Sequence, residues 1–213
     1  MANPHRPVTS LPDRDADYFL ELQTRTGWGK MLERFAAWLD PRPGCRALDV
    51  GTGPGLLPAL LTRAGCRALG VDLDPQMFRD ALHPDLVLAD AAFLPFPATT
   101  FHLVTASNLL FLLPEPLPVL REMARLLVAE GEIAVLNPSE RMSLAAAKAL
   151  AEARGLSGLA RETLLNYAAR AERHFRWSEG DLRRLFASAG LRLTATTTRM
   201  GPGLVRFARG VRL

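Results

Sequence analysis

Residues 46–72 carry the feature that most narrows the possible folds. An apolar run from Arg46 to Val50 leads into Gly51-Thr52-Gly53-Pro54-Gly55. A helix is predicted over Leu56 to Ala64, closed by Gly65, and a second apolar run from Arg67 to Val71 ends in Asp72. This strand–turn–helix–strand order is the βαβ unit of a parallel sheet. Gly51 and Gly53 can adopt positive φ and carry no Cβ, so a ligand can lie against the backbone there. The free N–H groups at the start of the helix favour an anionic or electron-rich group. Asp72 is delivered to the same sheet edge, where a carboxylate can accept both hydroxyls of a ribose. Ligands of open α/β sheets bind outside the carboxyl ends of the strands.

The details of the turn restrict the nucleoside. The dinucleotide fingerprint requires Gly or Ala at the third position counted from Gly51 and Gly53, and Leu56 occupies it. Leucine is too bulky for the close helix–strand packing that fingerprint needs. No Gly-Lys-Ser/Thr follows the turn, so a phosphate-binding loop is excluded. An adenosine ligand without phosphates remains.

Four segments in order resemble the class I S-adenosylmethionine-dependent methyltransferases, in particular the small family that includes the quinone-biosynthesis C-methyltransferases. They are Leu48 to Gly55, Gly70 to Met77, Leu88 to Ala91 with Leu94 to Pro97 behind it, and the strand and loop from Val104 to Leu113. The helix and strand from Arg121 to Val135, with a turn at Gly131, continue the pattern. The resemblance implies a Rossmann-like, doubly wound seven-stranded α/β sheet with the last strand antiparallel and helices on both faces. It implies S-adenosyl-L-methionine as cofactor and S-adenosyl-L-homocysteine as product. Asp72 would bind ribose, Met77 would pack near the adenine, Asp90 would accept from the adenine amino group, and the Ala91 N–H would meet the ring. Asp49, Gly51, Thr52, Gly53, Leu73 and Ser107 complete the expected cofactor site. Phe101-His102 replaces the family's usual Phe-Asp. The absence of Asn-Pro-Pro-Tyr in the fourth-strand loop argues against methylation of nucleobase or glutamine amino groups. Asn137-Pro138-Ser139 is assigned to no chemistry.

Each candidate has a structural alternative. Asp49 would orient the turn, or be a buried carboxylate bonding loop N–H groups. Asp72 and Asp90 could instead cap a helix and a loop, and Ser107 and Asn108 could form a polar turn. Tyr18, Trp28, Asn108 and His174 are the substrate-side candidates. Core packing is the alternative for Trp28, and a solvent-facing helix end for His174, while His83 and His102 read as structural. No catalytic residue is assigned: a sulfonium methyl is already activated, and alignment alone can remove up to roughly 7–11 kcal/mol of a barrier. A base is required only for an acceptor that arrives protonated. No metal-ligand spacing is present.

The 213 residues suit a single domain, and no run of about 18 apolar residues suggests a membrane span. The polar, Pro-rich stretch from Met1 to Asp15 lacks the apolar region of a secretory signal. Cys45 and Cys66 precede neighbouring strands and are expected to be reduced thiols of a cytoplasmic protein. The expected organisation is an N-terminal helical cap (1–39), a cofactor-binding core (40–139), a helical insertion (140–176) and a C-terminal helix with a strand pair (177–213). The cap and insertion would form a lid over a small, hydrophobic or aromatic acceptor, with Leu109 to Leu113 as an apolar wall. Residues 141–213 hold 14 Lys/Arg against 5 Asp/Glu, whereas residues 1–140 hold 12 against 17. Such asymmetry raises an RNA or protein substrate as an alternative, although arginines spaced along helices read more simply as solvated faces. A non-catalytic cofactor-binding partner protein is a further alternative. The oligomeric state is not legible in the sequence.

Overall fold

Apolar strands that alternate with amphipathic helices can bury themselves only as a sheet covered on both sides. The computed structural model, which describes residues 14–213, has this form. Helices α1 (Arg14–Arg25) and α2 (Gly27–Leu39) precede β1 (Arg46–Val50), α3 (Leu56–Arg63), β2 (Arg67–Asp72), β3 (Leu86–Leu88), β4 (Phe101–Ser107), α4 (Pro116–Arg125) and β5 (Leu127–Pro138). Then follow α5 (Leu144–Ala153), α6 (Gly158–Arg173), α7 (Glu179–Ser188), β6 (Leu191–Arg199) and β7 (Val205–Arg212). The expectations for the stretch before Arg14 fall outside the described residues.

The seven strands form one sheet in the order β3-β2-β1-β4-β5-β7-β6. Neighbours from β3 through β5 run parallel, and β7 pairs antiparallel with both β5 and β6. Strand order reverses between β1 and β4, which opens a crevice at their carboxyl ends.

Alternation along the strands divides the core in two. On one face Ala47, Leu103, Leu136 and Phe207 meet Leu32 and Phe35 of α2, Leu57 and Leu61 of α3, and Ala147 and Ala168 of α5 and α6. On the other face Leu48, Val104, Val135 and Ala208 meet Leu120 and Met123 of α4 and Leu182 and Phe186 of α7. The inserted helices therefore share one apolar cluster with α2, α3 and the sheet. Such a cluster cannot lose α5 and α6 without exposing core surface.

Two strands have starts set by local irregularities. β5 begins at Leu127, ahead of the turn expected at Gly131, because Leu127 already pairs with Phe101 before the register shifts and Leu103 pairs with Glu132. Glu130 takes φ 59° in that irregularity, and a Cβ on Gly131 would lie 3.0 Å from the Val128 carbonyl oxygen. β7 starts at Val205 because Gly203, at φ 94°, still donates its N–H to the Met200 carbonyl in the preceding turn. The break between α1 and α2 falls at Thr26, whose hydroxyl caps α2 by accepting from the Trp28 N–H at 3.1 Å. Ser178 and Asp181 form the reciprocal capping box that opens α7.

Candidate functional site

The glycine turn is shaped by β2. The N–H groups of Gly51 and Thr52 both donate to the Val71 carbonyl, at 2.9 and 3.0 Å. Gly51, Gly53 and Gly55 all have positive φ, which leaves the turn without side chains on its open side. A Cβ on Gly51 would lie 3.1 Å from Leu109, so the loop after β4 presses directly on this turn.

Asp72 ends β2 and holds the turn in place. Its Oδ2 accepts from the Gly53 N–H at 2.7 Å and its Oδ1 from the Asp74 N–H at 3.1 Å. Burial pushes its pKa upward, against the pull of the Asp74, Gly53 and Leu73 N–H groups. Each carboxylate oxygen has lone-pair capacity for a further donor. Helix capping falls to the next carboxylate, as Asp74 accepts from the Gln76 N–H at 3.0 Å and opens the turn containing Met77. Met77 is buried, whereas its neighbour in the motif, Leu73, is 56% exposed beside Asp72.

Asp49 is enclosed between β1 and β4. Its Oδ1 accepts from the Thr105 hydroxyl at 2.7 Å, and its Oδ2 has no hydrogen-bond partner. The expected bonds to loop N–H groups are not made, because the Val71 carbonyl takes those donors. Burial raises the Asp49 pKa to about 7, opposed by the hydroxyls of Thr105 and Thr52 and assisted by the charge of Asp72. The Thr52 hydroxyl is itself buried and makes no hydrogen bond of ordinary length.

Asp90 lies in the exposed loop after β3, where its Oδ1 accepts from the Ala92 N–H at 2.8 Å. That is the loop-capping geometry, and Ala91 sits inside the same turn. Ser107 ends β4, and Asn108 leaves the strand with φ 56°. The Asn108 Oδ1 accepts from the Tyr167 hydroxyl of α6 at 2.6 Å, while its Nδ2 is buried without a partner.

The substrate-side candidates separate into two groups. Trp28 packs edge-on against Tyr167, with ring centroids 5.0 Å apart, and so joins Asn108. His174 caps the end of α6, is exposed, and meets Phe111 edge-on at 6.5 Å. Tyr18 packs edge-on against Phe19 on α1. His83 accepts from the Asp85 N–H and bonds Thr62, and His102 accepts from the Arg46 N–H, which are structural roles. Cys45 and Cys66 are free, buried thiols, and burial together with Cys45 pushes the Cys66 pKa up to about 12.

Three further residues belong to this edge. Gln23 of α1 is buried over the glycine turn, where its Oε1 accepts from the Leu56 N–H at 3.2 Å and its Nε2 donates to the Thr52 carbonyl at 3.4 Å. The first N–H of α3 is thereby satisfied by the protein rather than left for an anion. Thr105 was visible as a hydroxyl within a buried strand, and Tyr167 as an aromatic in the insertion. Gln23 gave no signal in the sequence. No helix among the described residues is long and apolar enough to cross a membrane. Among those residues no cluster of His, Cys, Asp and Glu could hold a metal ion.

Residues 48–135 match the model of a methyltransferase domain family. The chain is 37% identical over 125 residues to phosphatidylethanolamine N-methyltransferase of Cereibacter sphaeroides, a match covering 52% of this chain and 60% of that one. It is 33% identical over 99 residues to demethylmenaquinone methyltransferase of Corynebacterium kroppenstedtii, covering 46% and 43% of the two chains. The matches thus span about half the length of these curated relatives. Magnesium protoporphyrin IX methyltransferase from Synechocystis, crystallised with bound S-adenosylhomocysteine, superposes with a TM-score of 0.69 at 17% identity, covering 94% of this chain and 95% of that one. That likeness is one of fold, and with the domain match it bears out both the resemblance to class I methyltransferases and the Rossmann-like sheet.

Proposed function

We propose, from the methyltransferase domain matched at residues 48–135, that this chain is an S-adenosylmethionine-dependent methyltransferase acting on a small, hydrophobic or aromatic acceptor. One observation carries the reading: the glycine turn and Asp72 are tied together at the carboxyl edge of β1 and β2 by the 2.7 Å bond from the Gly53 N–H. The residues fit the cofactor. Asp72 has lone pairs for ribose hydroxyls, and exposed Leu73 with buried Met77 offers an apolar surface for the base. Asp49 Oδ2 and Thr52 Oγ1 are buried polar atoms that lack a partner within the protein. Ala91 and Asp90 lie beside the same edge, and Ser107 ends the strand across the crevice.

The cofactor supplies an activated methyl on a sulfonium centre. The protein's part is to bind, orient and exclude water. Asp72 and the turn fix one end of the ligand. Leu109, Phe111 and the rings of Trp28 and Tyr167 form an apolar wall that keeps water from the crevice. We read α2, α5 and α6 as a fixed wall over the acceptor side, since they share one core with the sheet. Tyr18 and His174 lie at the margins of that wall.

The distribution of arginines favours a small acceptor over a nucleic acid. Much of the basic C-terminal third is engaged internally. Arg206 pairs with Glu140, Arg183 with Glu179 and Arg184 with Asp181. Arg209 lies over the Trp38 ring, and Arg141, Arg176 and Arg212 donate to backbone carbonyls.

Calorimetric titration with S-adenosylmethionine and S-adenosylhomocysteine tests this function. Wild type should bind both in the micromolar range. Asp72→Ala should weaken binding about 100-fold, as expected for two lost hydrogen bonds to a charged group. Absence of binding by wild type would overturn the proposal.

A further inference from the structure

The loop after β3 carries Asp90 and Ala91, and its two ends are held by different elements. The Ala89 N–H donates to the Asp72 carbonyl at 3.0 Å, which ties the start of the loop to β2. Within the turn Asp90 accepts twice, its Oδ1 from the Ala92 N–H at 2.8 Å and its carbonyl from the Phe93 N–H at 2.9 Å. The far end of the loop is gripped from behind by α4. Glu122 Oε1 accepts from the Leu94 N–H at 2.9 Å. The Arg125 guanidinium donates to the Leu94 carbonyl at 3.2 Å and, from both terminal nitrogens, to the Phe96 carbonyl at 3.0 and 3.1 Å.

Irregular backbone carries donors and acceptors that no ladder satisfies, so they need partners elsewhere. The Phe96 N–H donates to the Leu94 carbonyl at 2.8 Å in a three-residue turn, and the planar guanidinium fork spans both carbonyls of that turn. Glu122 fixes the fork in turn. Its Oε2 accepts from Arg125 Nε and its Oε1 from Nη2, both at 2.7 Å, a bidentate pair three positions apart on one helix. Hydrogen bonding from Arg125 holds the Glu122 carboxyl below its ordinary range, so it stays ionised. Leu120 and Met123 of the same helix are fully buried, so the fork stands on the core. Leu94 is 4% exposed, whereas Phe93, one residue nearer to Asp90, is 75% exposed. The clasp therefore closes where the loop leaves the core for the crevice. An ion pair of this spacing contributes little by itself. What sets this one apart is its grip on the backbone of a loop at the proposed cofactor edge.

We propose that Glu122 and Arg125 are positioning residues that set the base specificity of the cofactor site, by fixing the turn that presents Asp90 and Ala91. This rests on the methyltransferase reading above. One Asp90 oxygen accepts from the Ala92 N–H, and the carboxylate keeps lone pairs for a further donor. Adenine offers an amino group to it. A base with a carbonyl in that place offers lone pairs to a carboxylate and is repelled. Rejection of this kind requires the carboxylate to hold its place, because a turn free to shift would move away from the mismatched oxygen. The pair acts on the base only through the loop it grips.

The test is calorimetric titration with S-adenosylhomocysteine and with S-inosylhomocysteine, in which a carbonyl replaces the adenine amino group. Wild type should bind the adenosyl compound at least about tenfold more tightly, the worth of one hydrogen bond to a charged group. Arg125→Met keeps an apolar stem and removes the fork. It should weaken S-adenosylhomocysteine about tenfold and leave S-inosylhomocysteine within about twofold, so that most of the selectivity disappears. Arg125→Lys keeps the charge without the planar fork, and Glu122→Gln keeps an oxygen for the Leu94 N–H without the charge. Each should lower the selectivity about threefold. A merely structural role would lower the melting temperature, or both affinities together, with the selectivity unchanged, and that result would overturn the proposal. Equal binding of the two compounds by wild type would overturn it as well. If Arg125→Met does not fold, the decision passes to the two milder variants, where an unchanged selectivity again overturns it. Failure of wild type to bind either compound would instead remove the methyltransferase reading beneath it.

Discussion

The carboxyl edge of the sheet and the corner where the start of β7 meets β6 and the segments after β5 and before α7 treat buried polar groups in opposite ways. At the corner every such group is answered. Arg206, 9% exposed at its side chain, donates to the Trp177 carbonyl at 3.3 Å, to the Thr196 hydroxyl at 3.0 Å and to both Glu140 oxygens at 3.1 Å. The Ser139 hydroxyl donates to the Gly203 carbonyl at 2.6 Å and accepts from the Arg141 N–H. At the edge, Asp49 Oδ2, Thr52 Oγ1, Asn108 Nδ2 and Asn137 Nδ2 are buried without partners among the described residues. A satisfied network locks the corner into one arrangement. Each unsatisfied group costs about 1–3 kcal/mol. The edge therefore trades stability for the capacity to bind, and the two regions should respond oppositely to mutation.

The largest expected effect tests the edge. Asp49 has a folded-state pKa near 7 against 3.8 for the free side chain, chiefly through burial. In the pH interval between those values the folded state holds the proton more tightly than the unfolded state. Its contribution to stability is thus complete below pH 3.8 and lost as pH rises through about 7. Asp49→Asn should remove that slope. Its unfolding free energy relative to wild type, read from denaturant curves between pH 5 and 8, should rise up to about pH 7 and then level off, a gain on the order of 3 kcal/mol. Parallel curves would break the comparison, since Asp49 would then not be a strained carboxyl.

The corner should show the reverse. Glu140→Ala leaves the buried Arg206 guanidinium short of its counter-ion and should cost about 2 kcal/mol. This lies below the usual figure for a fully buried pair because the Glu140 side chain is 40% exposed. Cofactor affinity should not change, and an equal loss in both properties would merge the two regions into one cooperative unit. Ser178→Ala removes the α7 capping box and should cost about 1 kcal/mol, read as a lower melting temperature with ligand binding intact.

Much of this molecule is legible in its sequence where the determinants are local. The glycine turn, the order of strands and helices and the Ser178–Asp181 cap all depend on residues within a few positions of one another. The bulge before Gly131 was not legible, because it is set by how Leu127 fits against Phe101 on another strand. The same holds for the site. Asp49 and Asp72 announce themselves within motifs. Gln23 reaches Leu56 across 33 positions and Tyr167 reaches Asn108 across 59, from helices whose own pattern records only that they are amphipathic. The alternative reading of Asp49, as a carboxylate bonding loop N–H groups, fails for the same reason, since those donors are claimed by the Val71 carbonyl on the neighbouring strand.

The placement of β7 has a consequence for how the chain acquires its structure. β7 follows β6 in sequence yet lies between β5 and β6 in the sheet. Until it is in place, β6 has no neighbour to join and the long edge of β5 is bare. As synthesis proceeds from the amino end, the five earlier strands emerge before β7, and β5 keeps an open, apolar edge until β7 arrives. Such an edge invites pairing with other chains. Closure then depends on contacts such as Glu132 with Val211, which are distant in the chain and slow to form. The step that seals the sheet thus follows the parallel pairings, and the edge it covers is open until then to a chaperone or to a second nascent copy.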